Sequence, residues 1–153
     1  MKLAVMSDSH GYDEEVRKVL KKEKNADYFI HLGDLCSDPR SFPQLIILRG
    51  NNDYDHDLPL QLVSEFCGLR IFMCHGHRFL FYQREEAIAR QARENDCRIA
   101  LFGHTHDFYD NVIDGVRLLN PGSLMYNRSG AETGYLVIDI GEDGSYQVTR
   151  KLL

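Results

Sequence analysis

The chain has 153 residues, with a hydrophobic share of 43% and a charged share of 27%; this is ordinary globular usage, which excludes a disordered or fibrous chain and suits one domain over residues 1–153. A formal charge of −5 weighs against a protein that grips nucleic-acid polymer by counterion release, because that mode needs a basic face. No apolar run approaches the roughly 20 residues that span a bilayer, and the opening MKLAVMSDSH reaches Asp8 before a signal-peptide core could form, so a cytoplasmic protein with no membrane partner is expected.

Residues 2–6 form a short apolar run that stops at Ser7-Asp8, as a buried strand ending at polar residues would. Asp13 is placed to cap a helix in which Val16, Val19 and Leu20 recur at helical spacing, with Glu14 and Glu15 near its positive end. Residues 28–32 read as the next strand, ending at Gly33-Asp34, and residues 45–48 as a third, ending at Gly50-Asn51. A hairpin follows over residues 61–66 and 69–74 about Cys67-Gly68, and its second strand ends at His75-Gly76-His77. Residues 83–95 are helical in pattern, with Ala87, Ile88 and Ala92 inward and an Arg/Glu-rich outer face. Residues 99–102 read as a strand stopping at Gly103-His104-Thr105-His106. Beyond them, Asp114-Gly115 and Asp143-Gly144 read as two-residue turns of antiparallel hairpins.

Five strand ends thus carry Asp, Asn or His, and in open α/β sheets ligands gather beyond the carboxyl ends of the strands. Asp8 and His10 lie two apart; if the strand continues they point the same way and could grip one ion, although an isolated DxH also fits a solvated loop. Gly33 before Asp34 permits the close backbone approach that a carboxylate bridging two cations needs. Asn51 is either turn chemistry or a neutral amide ligand. His104 and His106 flank the small Thr105, which leaves both imidazoles room to converge, and His75 adds another nitrogen. Mixed oxygen and nitrogen donors suit manganese, iron, zinc, cobalt or nickel rather than calcium, and the lack of Cys in these clusters disfavours a structural zinc site. Cys36, Cys67, Cys74 and Cys97 show no CxxC spacing and read as reduced structural thiols. His31 reads as a hydrogen-bonded core histidine, His56 as solvated and Asp38 as an ordinary loop acid, while Arg49 is a phosphate contact or an exposed strand-end residue. The run FLFY at residues 79–82 reads as a core edge before a cleft border.

The ordered set D8-x-H10, G33-D34, G50-N51-N52-D53, H75-G76-H77, G103-H104-T105-H106 and N120-P121-G122-S123 resembles the calcineurin-like metallophosphoesterases, in particular their short bacterial and archaeal phosphodiesterase branch. The resemblance implies an α/β fold, a four-layer α/β/β/α sandwich of two facing mixed sheets with helices outside. It implies two divalent transition-metal ions, manganese first and nickel, cobalt, iron or zinc as alternatives: one on Asp8, His10 and His106, the other on Asn51, His75 and His104, with Asp34 bridging. The implied reaction is hydrolysis of a small phosphate ester, a phosphodiester before a monoester, by hydroxide from a water between the ions, whose pKa falls from about 15.7 to about 7. Catalytic roles fall to Asp34, Asn51 and His77. Many members carry His, their expected general acid, where this chain has Asn52; His77 is then either a substitute donor or a phosphate contact. Asn52 and Asp53 stand behind the ligands, Asp53 orienting a ligand His, and Asn120 and Ser123 shape the floor. The competing readings are a protein-assembly scaffold, as in the superfamily's retromer subunit, and a nuclease; a homo-oligomer is left open.

Overall fold

Alternation of side chains along the apolar strands decides the layering, because successive residues of a strand face opposite sides of its sheet. The computed structural model describes residues 1–153. Its elements are β1 (Lys2–Met6), α1 (Asp13–Lys22), β2 (Tyr28–His31), β3 (Leu45–Ile47), β4 (Gln61–Phe66) and β5 (Leu69–Cys74), then α2 (Arg84–Glu94), β6 (Ile99–Leu101), β7 (Phe108–Ile113), β8 (Val116–Pro121), β9 (Gly134–Ile140) and β10 (Tyr146–Leu152). Two five-stranded mixed sheets result, in the orders β10-β9-β1-β2-β3 and β4-β5-β6-β8-β7.

Leu3 and Val5 of β1, Ile71 and Met73 of β5, and Leu136, Ile138 and Ile140 of β9 meet in one buried cluster between the sheets. Their neighbours in sequence face outward: Met6, Tyr135 and Val137 pack with Val16 and Val19 of α1, and Phe72 and Cys74 pack with Ile88, Ala89 and Ala92 of α2. The order of layers is α1, first sheet, second sheet, α2, which is the expected α/β/β/α sandwich. No helix is long and apolar enough to cross a membrane.

Topology positions the site. β1, β2 and β3 run parallel, and so do β5, β6 and β8, so each set delivers its carboxyl ends to one sheet edge, where the loops carrying Asp8, Asp34, Asn51, His75 and His104 emerge.

Four local expectations are corrected. Asp13 is the first residue of α1 instead of its cap, because its carboxylate accepts the Ser37 hydroxyl at 2.6 Å. In α2 the buried stripe is Arg84, Ile88, Ala89 and Ala92, leaving Ala87 half-buried, since the helix begins at Arg84 and turns that stripe toward the second sheet. Asp143-Gly144 lies inside a connection of residues 141–145 between β9 and β10; Ser145 N–H and hydroxyl both donate to the Asp143 carboxylate, which widens the turn. Leu80, Phe81 and Tyr82 are 63%, 81% and 74% exposed instead of forming a core edge. Phe81 and Tyr82 fall in a short 3-10 turn ahead of α2, which Leu80 precedes, and only Phe79 reaches the apolar cluster beneath.

Ile138 is fully buried between the sheets, so Ile138→Ala should lower the unfolding free energy by about 2–5 kcal/mol. Urea denaturation with an unchanged m-value checks this; a loss below about 1 kcal/mol would contradict close packing of the two sheets at that point.

Candidate metal centre

The expectation that Asp8 and His10 converge by continuing a strand is corrected by the backbone: β1 ends at Met6, and Asp8 (φ 54), His10 (φ 45), Asp34 (φ 54), Cys36 (φ 56), His104 (φ 68) and His106 (φ 60) are all left-handed. Three loops share this pattern of residues two apart. Each such residue costs roughly 1–2 kcal/mol without a glycine, and strain of this kind gathers where a site is held in shape by its surroundings. The first two loops are zipped together: Asp8 N–H donates to the Gly33 carbonyl at 3.1 Å, His10 N–H to Asp34 at 2.9 Å and Gly11 N–H to Leu35 at 2.9 Å. Gly50 and Gly103 have a steric role, since a Cβ at either would run into Asp34 Oδ1 or into Ser7 Oγ and Asp8 Oδ2.

Asp8 is fully buried. Its Oδ2 accepts the Ser7 hydroxyl at 2.5 Å and the His104 N–H at 3.0 Å. Its Oδ1 is buried with no hydrogen-bond partner and faces the Nε2 atoms of His106 at 3.2 Å, His10 at 3.8 Å and His75 at 3.8 Å. Asp34 Oδ2 stands 3.5 Å from Nε2 of both His10 and His75, and Asn52 steadies that carboxylate through its N–H and its side-chain amide, each at 2.8 Å. His75 Nδ1 lies 2.8 Å from the Leu32 carbonyl. A carbonyl only accepts, so Nδ1 carries a proton, and Nε2 is the nitrogen that faces the carboxylates and Asn51 Oδ1 at 3.2 Å. His10 and His106 bring their Nε2 atoms to 3.1 Å of each other.

Three groups have the closeness of a metal site: two trios built on Asp8, one with His10 and His106 and one with Asp34 and His75, and a third of Asp34, Cys36 and Asp53. The charges respond to the crowding. Burial pushes the Asp8 carboxyl up, but the imidazoles of His10, His106 and His75 gathered around it and the Ser7 hydroxyl outweigh that and hold the group far below the carboxylate range. Asp34, raised by burial and lowered more by His75 and Asn52, is drawn down to about 2. His10 is raised, first by Asp8; His75 is raised because Asp34 and Asp8 overcome its burial.

The remaining expected residues fall around these groups. The His104 ring stands 5.2 Å from that of His75, edge to face, and enters neither trio; its backbone N–H holds Asp8. His77 packs 5.4 Å from the His75 ring, and its buried Nδ1 has no partner. Asp53 does not orient a histidine, as expected of it. Its carboxylate clamps three backbone N–H groups, those of Asp34 at 2.8 Å, Cys36 at 2.9 Å and Gly50 at 2.7 Å, because the two loops meet over it. Ser123 Oγ donates to the Asp8 carbonyl at 2.8 Å and Asn120 Nδ2 to the Gly103 carbonyl at 2.9 Å, so both do shape the floor. Arg49 is half-buried and bonds His56.

Ser7 and Cys36 were not foreseen. Cys36 lies close to Asp34 and Asp53 and 3.7 Å from His10 Nδ1; the repeat of D8-x-H10 as D34-x-C36 was the signal available. Burial and the charges of Asp34, Asp53 and Asp8 push its thiol up to about 12, which keeps it a weakly binding thiol. Cys67, Cys74 and Cys97 are free as well.

Residues 1–143 match the family described as the calcineurin-like phosphoesterase superfamily domain. The chain is 28% identical over 148 residues to "Probable metallophosphoesterase YsnB" of Bacillus subtilis, covering 95% of this chain and 88% of that one. It is 25% identical to "Phosphodiesterase MJ0936" of Methanocaldococcus jannaschii, covering 87% and 90%. Among solved structures, a conserved Streptococcus pneumoniae protein described as a predicted phosphoesterase superposes with a TM-score of 0.83 at 27% identity, covering 98% and 97%. Vps29 of Entamoeba histolytica shares the fold at 21% identity, with a TM-score of 0.76 and 99% of each chain covered.

His31, fully buried, gives a pH test. Gly33 N–H donates to its Nδ1 at 3.3 Å, so the proton of the neutral ring sits on Nε2 and points to Ser9 Oγ at 2.9 Å. Burial, against the pull of Asp8 and Asp53, pushes its pKa down from 6.5 to about 4. Between these values the unfolded chain holds more protons than the folded one, so the stability His31 contributes is complete above about pH 6.5 and is lost as pH falls toward 4, at about 1.4 kcal/mol per pH unit. In chelator-treated protein, the stability advantage of wild type over His31→Gln should shrink by about 3 kcal/mol across that window; parallel curves would overturn the assignment.

Proposed function

The chain belongs to the calcineurin-like phosphoesterase superfamily, and from that premise we propose that residues 1–153 act as one domain, a metal-dependent phosphodiesterase for small substrates, with a centre held by Asp8, His10, Asp34, Asn51, His75, His104 and His106. One observation carries the reading: Asp8 Oδ1 is a buried carboxylate oxygen without a hydrogen-bond donor, ringed by imidazole nitrogens. In the neutral tautomer, with its proton on Nδ1, His75 would turn an Nε2 lone pair toward these anionic oxygens, an arrangement that a cation lying among them makes favourable. The mixed nitrogen and oxygen donors fit transition dications, manganese first with nickel, cobalt, iron and zinc as the alternatives. Asp8, His10 and His106 would hold one ion, Asn51, His75 and His104 the other, and Asp34 both, which agrees with its Oδ2 standing equally far from His10 and His75. Such ions supply charge neutralisation at the phosphoryl oxygens and lower the pKa of water to near neutrality.

The chain's own residues do the rest. Asn52 fixes the rotamer of Asp34 with two hydrogen bonds. It stands where many members carry a histidine, and an amide has no titratable proton to give a leaving group. His77 is depressed by burial and then by His75, so it is neutral at neutral pH and serves as a phosphate contact more readily than as an acid. Departure of the alcohol then depends on the alcohol's own acidity.

Two outcomes test this. Across a series of phosphodiesters, rates should rise steeply as the leaving-group pKa falls; a flat dependence with chemistry rate-limiting would require another proton donor, with His77→Ala the variant to examine. Asp34→Asn keeps the size but removes the charge between two dications, whose repulsion then grows, so it should lose at least one ion and most turnover while its circular dichroism is retained. Elemental analysis should give two equivalents for reconstituted wild type. Two ions and full turnover in Asp34→Asn would overturn the bridging role, and a wild type with one ion or none and no turnover would favour an assembly scaffold.

A further inference from the structure

A separate cavity of about 210 Å³ opens beside the two trios, lined by Phe81, Arg84, His104, Thr105, Asp107 and Arg128. It shares the loop of residues 104–106 with the metal centre, and Arg128 is tied to that loop by its N–H, which donates to the His106 carbonyl at 3.1 Å. Arg84 is only 7% exposed although the sequence places it at the start of an Arg/Glu-rich helix. Buried arginines are nearly always paired with a carboxylate, yet Arg84 takes part in none of the chain's arginine and lysine ion pairs. Only its Nε is engaged, donating to the Gly76 carbonyl at 3.1 Å, and the guanidinium lies 5.7 Å from the centroid of the exposed Phe81 ring. The terminal nitrogens find no protein acceptor. Arg128 is exposed and its side chain is likewise outside every ion pair. The one acid on the wall, Asp107, accepts the Ser129 N–H at 2.9 Å and reaches neither arginine.

The cavity is thus a positively charged recess whose more buried arginine is held by a backbone carbonyl at Nε and lines the space with its terminal nitrogens unpaired. A fork of two parallel N–H groups matches two oxygens of a phosphate and binds them as charge-assisted hydrogen bonds. We propose that this recess is a substrate subsite for a second anionic group, so that the preferred substrates are phosphodiesters with one ester arm ending in a further phosphate. Arg84 receives that phosphate, Arg128 closes over it from the rim, and Phe81 covers the arm. The inference rests on the phosphodiesterase reading, since it supposes that the scissile phosphate sits at the trios.

The test uses p-nitrophenyl phosphodiesters with a common leaving group, whose alkyl arm ends either in methyl or in a non-hydrolysable phosphonate, over several arm lengths. With manganese-loaded wild type, one arm length should favour the phosphonate by about tenfold or more in kcat/KM, carried by KM. That ratio should fall toward one in Arg84→Gln and drop severalfold in Arg128→Ala, whose exposed position keeps the test usable if Arg84→Gln fails to fold. Calorimetry supplies a readout independent of turnover: an alkane diphosphonate should bind wild type about tenfold more tightly than the matching alkylphosphonate, and lose much of that advantage in Arg128→Ala. Equal kcat/KM for both arms at every length, with both esters turned over, overturns the subsite while leaving the phosphodiesterase reading intact. So does a phosphonate preference that survives both substitutions unchanged. Turnover of neither ester counts against the phosphodiesterase reading itself; the diphosphonate advantage and its loss in Arg128→Ala would then still support the anion recess, and equal affinities would overturn it. Competition by inorganic phosphate that vanishes in Arg128→Ala without any diphosphonate advantage would mark a free-phosphate site and overturn the substrate role.

Discussion

A carboxylate charge buried at the end of β1 is the constraint on which the site depends. Asp8 has no exposure to water, and an ion so placed is tolerated only among partners that stabilise its charge. One oxygen is provided for by Ser7 and the His104 N–H; the other has only imidazole nitrogens around it. The floor is arranged to serve this residue: Ser123 holds its carbonyl, Asn120 holds the Gly103 carbonyl next to it, and Gly103 lacks the Cβ that would collide with it. Removing solvent from so many donors raises the electrostatic stakes, because a local dielectric well below that of water strengthens each favourable interaction and each unmet one alike.

The left-handed residues follow from that arrangement. A strand that simply continued past Met6 would carry alternate side chains outward from the sheet edge, not inward over it. Turning Asp8 and His10, Asp34 and Cys36, and His104 and His106 through positive φ folds each loop back over the strand ends, and backbone hydrogen bonds between the first two loops hold them there. Asp53 completes the clamp by gathering the N–H groups of Asp34, Cys36 and Gly50. This carboxylate resembles a metal ligand in composition and neighbourhood, but its oxygens already accept three N–H bonds.

Asymmetry around the centre has chemical meaning. On one side Asn52 grips Asp34, trading a titratable histidine for a rigid hold on the carboxylate. On the other, the exposed Phe81 and the buried Arg84 line a wall whose character is positive and planar. On the proposed function, the metal centre would supply what any phosphate ester needs, and the wall beside it would tell one ester from another. Binding energy at a remote group of this kind acts on selectivity without altering the donors that meet the reacting phosphate.

The strands and most of the ligand-type residues were legible in the sequence, because both depend on local regularities, whereas the four-layer order was implied by the family resemblance. Short continuous apolar runs such as residues 3–6 and 71–74 read as strands buried on both faces, and polar residues at five strand ends have no packing role there. Helix α2 was legible in extent but not in its face: Arg84 carries a charge and so reads as outward, and only the Gly76 carbonyl, eight residues earlier and folded back over it, makes its burial possible. The exposure of residues 80–82 was hidden for the opposite reason, as apolar composition says nothing about whether a partner surface is present. The contacts that Asp53, Ser7 and Cys36 make at the site could not be read from the chain, since their work is done on atoms brought close by the crossing of separate loops. Residue types and their spacing along single strands determined the chemistry available to this protein; the directions in which those side chains point were decided by contacts between residues far apart in sequence, which exist only once the two sheets have met.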